Sequence, residues 1–468
     1  MSKDLINNTQ DILHEESNFD RITDKHGKYI CGAPWTSFSF EPDGDIAFCC
    51  ATGFELRDLR QGLTSLDEII NSPQAKQVRA DLLKGYKTEY CEVCWDSEDR
   101  YGKPSENRVF CIEKSHRTID ELIKHTDSNG YMHKQAPTWF DIMFSNKCNF
   151  ACMGCNMGNS TTIGKYITAY DIRDGLFPDW HMNKNTHMPR SPFTEDECFE
   201  SKVDATRLID YIIEHKDTIN DIHFQGGEPF MMPEVYQTLD RLIENNLHDR
   251  TAGVHIWCHT NGSIRTYKGE DIIEKYLSKW ERRFHITMSH DGYGPRGEYI
   301  RYGYTDKKWI DTYNRLIDVN CKVNIQHSIN IFNILHQKEC LEWYITNCSI
   351  AGTDVVETDI DGLHTRSLTL NPWSHAYCFD YVMSVPQLRD NALEILHQCV
   401  NRCKELGIFE NGTPYRQYIS PLEVEEHEVS DEYKISFIDS VNKFDEMRGT
   451  DFHKTFPELK LYWELCNA

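Results

Sequence analysis

The 468-residue sequence has no apolar run near the roughly 18–20 residues that a membrane-spanning helix needs. That excludes the usual helical membrane protein. Its first residues, Met-Ser-Lys-Asp-Leu-Ile-Asn-Asn, lack the charged-then-apolar pattern of a secretory signal, so the expectation is a cytoplasmic protein away from any membrane. Basic clusters are equally scarce: the net charge is −24, and Lys/Arg groups amount to short pieces such as Lys279 to Arg283. Nucleic-acid binding requires clustered cations on phosphates, so no nucleic-acid partner is expected. There is no internal repeat and no low-complexity tract. The acidic stretch Glu423 to Glu432 reads as a solvated face.

What the chain has in excess is cysteine, 18 residues of it. In a reducing compartment the default meaning of grouped cysteines is metal ligation or catalysis rather than disulfides. Cys198, Cys258, Cys321, Cys340, Cys348, Cys378 and Cys466 stand singly and read as small buried residues, as do Cys399 and Cys403 one helical turn apart. Two groups remain: Cys31, Cys49, Cys50, Cys91 and Cys94 near the start, and Cys148, Cys152 and Cys155 further on.

The pattern divides the chain into a polar N-terminal arm (1–28), a cysteine-rich module (29–112), a linker (113–137), an alternating α/β region (138–360) and a mainly helical C-terminal region (361–468). In the module, strands are predicted at Thr36–Glu41 and Asp45–Phe48 around a Pro42-Asp-Gly turn, with a charged helix near Ser65–Lys84. In the α/β region strands are predicted at Trp139–Ser145, Asp221–Phe224, Val254–Thr260, Phe284–Ser289, Lys322–Ser328 and Thr353–Glu357. Helices fall between them near Lys202–Lys216, Pro233–Asn245, Gly269–Trp280, Trp309–Val319 and Leu335–Thr346. Such alternation implies a parallel sheet, and six units fall short of the eight of a closed barrel, so a partial (β/α)6 barrel is expected. The tail's best helix is Val385–Leu406. Residues 157–199 interrupt the first unit. A connection of that length is usually functional, and it reads as a lid with Trp180, His181 and His187 available for contacts.

After the first barrel strand the chain reads Phe144-Ser-Asn-Lys-Cys148-Asn-Phe-Ala-Cys152-Met-Gly-Cys155. Three thiolates on one loop can share a four-iron cubane and leave one iron open, as a catalytic site requires. The C-x3-C-x2-C spacing resembles the signature of the radical S-adenosylmethionine (SAM) superfamily. That resemblance implies a [4Fe–4S] cluster chelated by SAM, whose reductive cleavage yields a 5′-deoxyadenosyl radical that abstracts hydrogen from a substrate. Three further elements match in order. Gly226-Gly227-Glu228 resembles the family's GGE motif, which contacts the methionine ammonium. Thr260-Asn261-Gly262 resembles its TNG element. Ser289-His-Asp291-Gly292 resembles its S-x-D-G element near the SAM ribose and carboxylate. Arg301, nine residues after Gly292, is placed to pair with that carboxylate.

The upstream group resembles a SPASM or twitch module, which binds auxiliary [4Fe–4S] clusters. The resemblance implies Cys31, Cys49, Cys91 and Cys94 as ligands, with Cys50 the bystander and only Cys111 left over, which suits the one-cluster form. This module usually follows the barrel, and here it precedes it. A structural zinc site would use the same four cysteines. The expected protein is a radical SAM enzyme acting on a peptide or protein side chain, with an external one-electron reductant of flavodoxin or ferredoxin type. Dehydrogenation or epimerisation of an amino-sugar or small metabolite is the alternative, and a non-catalytic iron–sulfur protein the second.

Overall fold

A computed structural model describes residues 18–41, 45–49, 57–58, 66–102, 104–115, 119–155, 159–166, 205–249, 253–348, 366–372, 379–423 and 429–468. The chain divides into two compact units, one comprising residues 1–39 and 46–139, the other 40–45 and 140–468. The predicted strand 353–357, the Pro42-Asp-Gly turn, and Trp180, His181 and His187 lie outside the described residues.

The first unit contains strands β1 (Ser37–Phe40) and β2 (Asp45–Ala47) and helices α1 (Asn18–His26), α2 (Pro73–Leu83), α3 (Glu92–Tyr101), α4 (Glu106–Ser115) and α5 (Ile119–Lys124). The N-terminal arm is corrected over α1: Ile22 is fully buried, and Asp120 of α5 receives Arg21 at 3.1 Å and Lys25 at 2.9 Å. The span read as a linker, which was expected to hold one short helix, carries the whole of α5. The charged helix predicted over 65–84 is split at Asn71-Ser72. Ser72 caps α2 by accepting from Ala75 N–H at 3.2 Å, and Pro73 needs no donor in the first turn. At the centre lies Arg79, wholly buried, which donates to Gly130 O at 2.8 Å and Pro34 O at 2.9 Å, and to Ile70 O. Burial pulls its guanidinium down to about 9.

The second unit is built on six strands, β3 (Trp139–Ile142), β4 (Asp221–Phe224), β5 (His255–Thr260), β6 (Phe284–Ser289), β7 (Lys322–Ile329) and β8 (Arg366–Pro372), which lie side by side in chain order. Each pairing from β4 to β8 is parallel, with registers such as Asp221↔His255, Phe284↔Ile256, His285↔Lys322 and Val323↔Arg366. The helices between them include α7 (Ala205–Glu214), α8 (Pro233–Glu244), α10 (Asp306–Asp318) and α11 (Gln337–Asn347); the short α6 (Thr161–Tyr166) follows the cysteine loop and α9 (Gly294–Ile300) follows β6. Where a helix was predicted over 269–280 the backbone makes a π-helical turn at Ile273–Leu277. The fold is thus the expected α/β partial barrel, preceded by a cysteine-rich module and followed by a helical region with α12 (Pro386–Leu406) and α13 (Asp431–Arg448).

Along β5 one face buries Ile256, Cys258 and Thr260, while His255, Trp257 and His259 on the other stay half-buried. A strand alternates its side chains between two faces. The apolar set packs beneath the helices, and the opposite face of the sheet is left polar.

Candidate active site

The cysteine loop and the Gly-Gly-Glu, Thr-Asn-Gly and Ser-x-Asp-Gly elements lie at the carboxyl ends of strands of the second unit, where such sheets place their sites. After β3 the backbone of 145–147 runs directly against the Gly226-Gly227 turn. A Cβ on Gly226 would sit 2.5 Å from Ser145 O, and one on Gly227 2.3 Å from Lys147 O, so both positions exclude any side chain. Gly227 N–H donates to Ser145 O at 3.3 Å and Glu228 N–H to Lys147 O at 2.8 Å, which ties this turn to the start of the cysteine loop.

Glu228 is wholly buried. Its carboxylate accepts from Thr260 Oγ1 and from Asn261 N–H, both at 2.7 Å, and from Phe230 N–H at 3.3 Å. The sequence suggested that Glu228 faces a ligand ammonium; here both its oxygens brace the ends of β4 and β5. Burial pushes this carboxyl up to about 7. Asn261 in turn donates to Asn149 Oδ1 at 3.0 Å and reaches within 4.0 Å of Cys148 Sγ, which places the TNG element against the cysteine loop.

The cysteine loop is held from both sides. Cys148 O accepts from Thr162 Oγ1 of α6 at 2.6 Å. A two-residue strand, Ala151–Cys152, pairs antiparallel with Arg301–Tyr302, so Arg301 lies opposite Cys152. Arg301 approaches Cys152 Sγ at 3.8 Å and forms an ion pair with the fully buried Asp291 at 2.7 Å. Burial raises the thiols of Cys148, to about 12, and Cys152, which the neighbouring guanidinium partly opposes. Among the described residues no three His, Cys, Asp or Glu side chains are already arranged to hold a metal ion, so the three thiols would have to draw together around iron. The donor set itself fits an iron–sulfur cluster: three cysteines on one short loop, with a buried cation beside the middle one to offset thiolate charge.

Sequence reasoning missed two supports. The end of β7 and the loop after it grip Asp291: Ser328 N–H donates to its carboxylate at 2.7 Å and Asn333 Nδ2 to its carbonyl at 3.0 Å. Ser328 and Asn333 carried no motif by which to find them. Beneath, His290 and His327 share the hydroxyl of Tyr344, each at 2.7 Å, in a buried network that burial keeps neutral. A cavity of about 640 Å³ adjoins Asp291 and Gly292, walled by Tyr293, Tyr299, Phe332 and His336.

On the polar face of the sheet a second cluster was also missed. Asp141 accepts from Gln225 Nε2 at 2.5 Å and lies 3.4 Å from His223 Nδ1, whose ring stands 4.8 Å from that of His259. Burial raises the Asp141 carboxyl to about 7 and lowers the His259 imidazole to about 4. Deeper along the strands Trp257 stacks on His285 at 3.9 Å and donates to Asp221 at 2.7 Å. An alternation of His and Trp within β5 was the available signal.

In the first unit Cys91 immediately precedes α3 and Cys94 lies in its first turn. Cys31, Cys49 and Cys94 are near enough to Cys91 for charge on them to push its already buried thiol further up. Cys111, set aside in the sequence, hydrogen-bonds the Cys31 thiol and lowers it. Gly32 permits this approach, since a Cβ there would lie 2.6 Å from Cys111 O. Arg108 fastens the same turn, donating to Ile30 O at 3.1 Å while paired with Glu98 at 2.7 Å.

These two sites define the class. Residues 142–342 match the model of the radical SAM superfamily, and residues 31–95 that of an iron–sulfur cluster-binding domain, SPASM. The chain thus carries a radical SAM domain and, ahead of it, a SPASM module, a combination that implies [4Fe–4S] clusters and SAM as cofactors. No curated protein matches it at the level of sequence. Among solved structures it is similar to native anSMEcpe with bound AdoMet, at 12% identity and a TM-score of 0.34, covering 58% of this chain and 62% of that one. It is also similar to SuiB of Streptococcus suis bound to S-adenosylmethionine, at 14% identity and a TM-score of 0.34 over 77% of this chain and 69% of that one. SuiB bound to the precursor peptide SuiA matches at 13% identity and a TM-score of 0.34, over 80% and 71% of the two chains. Among the described residues no helix is long and apolar enough to cross a membrane.

Proposed function

We propose that the chain is an enzyme that cleaves SAM reductively and uses the resulting radical on a peptide or protein side chain. One observation carries the reading: the cysteine loop, the Gly-Gly-Glu turn, the Thr-Asn-Gly element and Arg301 with Asp291 are joined by direct contacts at one end of the sheet. Cys148, Cys152 and Cys155 would hold the catalytic cluster. Bound there, cluster and SAM would supply a 5′-deoxyadenosyl radical able to abstract hydrogen. Gly226, Gly227, Glu228, Thr260, Asn261, Ser289, Asp291 and Arg301 form the frame for SAM, and the cavity beside Asp291 has the size of a small-molecule pocket.

The substrate would meet the polar face of the sheet. There His259, kept neutral because burial lowers it to about 4, can offer a ring nitrogen as a hydrogen-bond partner, and Asp141 with Gln225 can hold a polar group. The SPASM match supports a peptide, because the family resemblance associates that module with peptide modification. Cys31, Cys49, Cys91 and Cys94 would bind the auxiliary cluster, and electrons would come from an external one-electron reductant of flavodoxin or ferredoxin type. The segment 157–199 remains a candidate lid.

The test is SAM cleavage by anaerobically reconstituted protein under a strong reductant. Wild type should form 5′-deoxyadenosine without substrate, and replacing Cys148, Cys152 and Cys155 together by Ala should abolish it. Continued cleavage by that variant would show the assignment to be wrong.

A further inference from the structure

Beneath the Ser289-His290-Asp291-Gly292 turn runs an unbroken line of side-chain hydrogen bonds. It starts at Asp306, the first residue of α10. The Asp306 carboxylate accepts from the Tyr304 hydroxyl at 2.7 Å and, on its two oxygens, from Gly294 N–H at 3.1 Å and 3.0 Å. Tyr304 Oη lies 2.9 Å from His290 Nε2, and His290 Nδ1 lies 2.7 Å from Tyr344 Oη. The same Tyr344 oxygen is 2.7 Å from His327 Nδ1, and His327 Nε2 is 2.9 Å from Gln337 Nε2. Gln337 Nε2 also donates to Asn333 O at 3.1 Å, and Asn333 Nδ2 to Asp291 O at 3.0 Å. His290, Tyr344, His327 and Gln337 are all fully buried, and the rings of Trp309 and Trp343 stand 4.7 Å and 4.6 Å from that of His290.

The two ends of this line dictate where every hydrogen sits. A hydroxyl has one hydrogen to give and a neutral imidazole one N–H, and burial keeps both imidazoles neutral. Tyr304 spends its hydrogen on Asp306, so His290 must donate from Nε2. Its Nδ1 is then bare and accepts from the Tyr344 hydroxyl; the longer contact of that hydroxyl to His290 O, at 3.4 Å, is the weaker one. Tyr344 having spent its hydrogen, His327 donates from Nδ1 and accepts at Nε2. The far end requires the same answer independently. Asn333 O can only accept, so the amide nitrogen of Gln337 faces it, and that nitrogen can only donate to His327. Two histidines under one turn therefore hold opposite tautomers, and all the bonds from Gln337 to Asp306 point one way.

We propose that Asp306 is a positioning residue for the SAM-binding turn: it sets the direction of this chain of bonds, and the chain holds Asn333 and Asp291 in place beside the cavity they line. This rests on the Ser289–Gly292 turn being part of the SAM site. Asp291, so held, keeps its ion pair with Arg301 next to Cys152. The inner end of the line is an amide, which carries no proton onward, so the line orients groups rather than conducting protons. Asp306→Asn preserves the shape and introduces a donor. Turned toward Tyr304, the new NH2 group reverses every bond and sets His327 Nε2–H against the Gln337 amide. Turned the other way, it opposes Gly294 N–H at the start of α9. In both cases the turn loses a hydrogen bond at one end of the line.

Two measurements on the reconstituted full chain test this. Nitrogen NMR of histidine-labelled wild type should show His290 protonated on Nε2 and His327 on Nδ1, both neutral at neutral pH; any other pair of states overturns the proposal. The second is the steady-state cleavage of SAM to 5′-deoxyadenosine under a strong reductant. Asp306→Asn should raise the KM for SAM about tenfold, the scale of one buried hydrogen bond, and move kcat far less. Tyr344→Phe cuts the same line, so it should raise KM similarly, and the double variant should do no worse than the larger single effect. An unchanged KM in Asp306→Asn, or effects that simply add in the double variant, overturns the proposal. Should Tyr344→Phe fail to fold, the wild-type tautomers and the KM of Asp306→Asn decide it. Wild-type protein that shows the expected tautomers but neither binds nor cleaves SAM would instead count against the SAM-site reading, and would leave the line a brace within the fold.

Discussion

At the scale of single residues, the most informative groups are those whose charge the fold suppresses. Asp141 has a carboxyl raised from 3.8 to about 7 by burial. Between those values the unfolded chain has lost the proton that the folded chain keeps, so stability falls as pH rises from about 4 to about 7 and then levels. His259 runs the other way: its pKa falls from 6.5 to about 4, so its contribution grows with pH across that interval. The two partly offset each other, and removing one should expose the other. Relative to wild type, Asp141→Asn should gain stability with rising pH between about 4 and 7, by at most about 1.4 kcal/mol per unit, and the difference should be constant above that. Urea denaturation of the full chain at several pH values measures this. A pH-independent difference would mean that Asp141 is ionised throughout. None of this was legible in the sequence, because Asp141, His223 and His259 sit on three different strands and meet only when those strands pair.

At the scale of elements, the legible parts were those with a strong period or a spaced motif. Strand β4 spans the predicted residues and β5, β6 and β7 fall within a residue of them, because each is a short apolar run bounded by turn residues. The last strand of the sheet is Arg366–Pro372, where no strand was expected. Its alternation, with Leu368 and Leu370 buried, was present in the sequence but stood in a stretch read as the start of the helical tail. The glycines of the Gly-Gly-Glu turn were read as making room for a ligand; they also make room for the backbone of 145–147. That gives a prediction about two loops rather than one residue. Gly227→Ala should force them apart, costing about 1–3 kcal/mol as overpacking does, and should lower catalytic-cluster occupancy together with stability. Denaturant midpoint and iron content of the same preparation check it, and normal values for both would show that the loops can part without consequence.

At the scale of the whole molecule, the two cysteine groups lie in separate units, with Arg108 beside the first and Arg301 beside the second. If both groups bind [4Fe–4S] clusters, reconstituted protein should hold about eight irons per chain, and about four should remain when Cys148, Cys152 and Cys155 are all Ala. One zinc with about four irons would make the first unit a structural zinc site. The division into a cysteine-rich unit and an α/β unit was readable from composition, whereas the reach of the tail back to the cysteine loop was not, because a contact between Ala151 and Arg448 spans 297 positions. That span has a consequence for how the protein is made. At about 5–20 residues per second, the ribosome needs about 15–60 s to pass from the cysteine loop to Arg448. For all of that time the three thiols are translated but Arg448 does not exist, so the bond that ties the loop to the tail forms only after the rest of the loop's surroundings have been made.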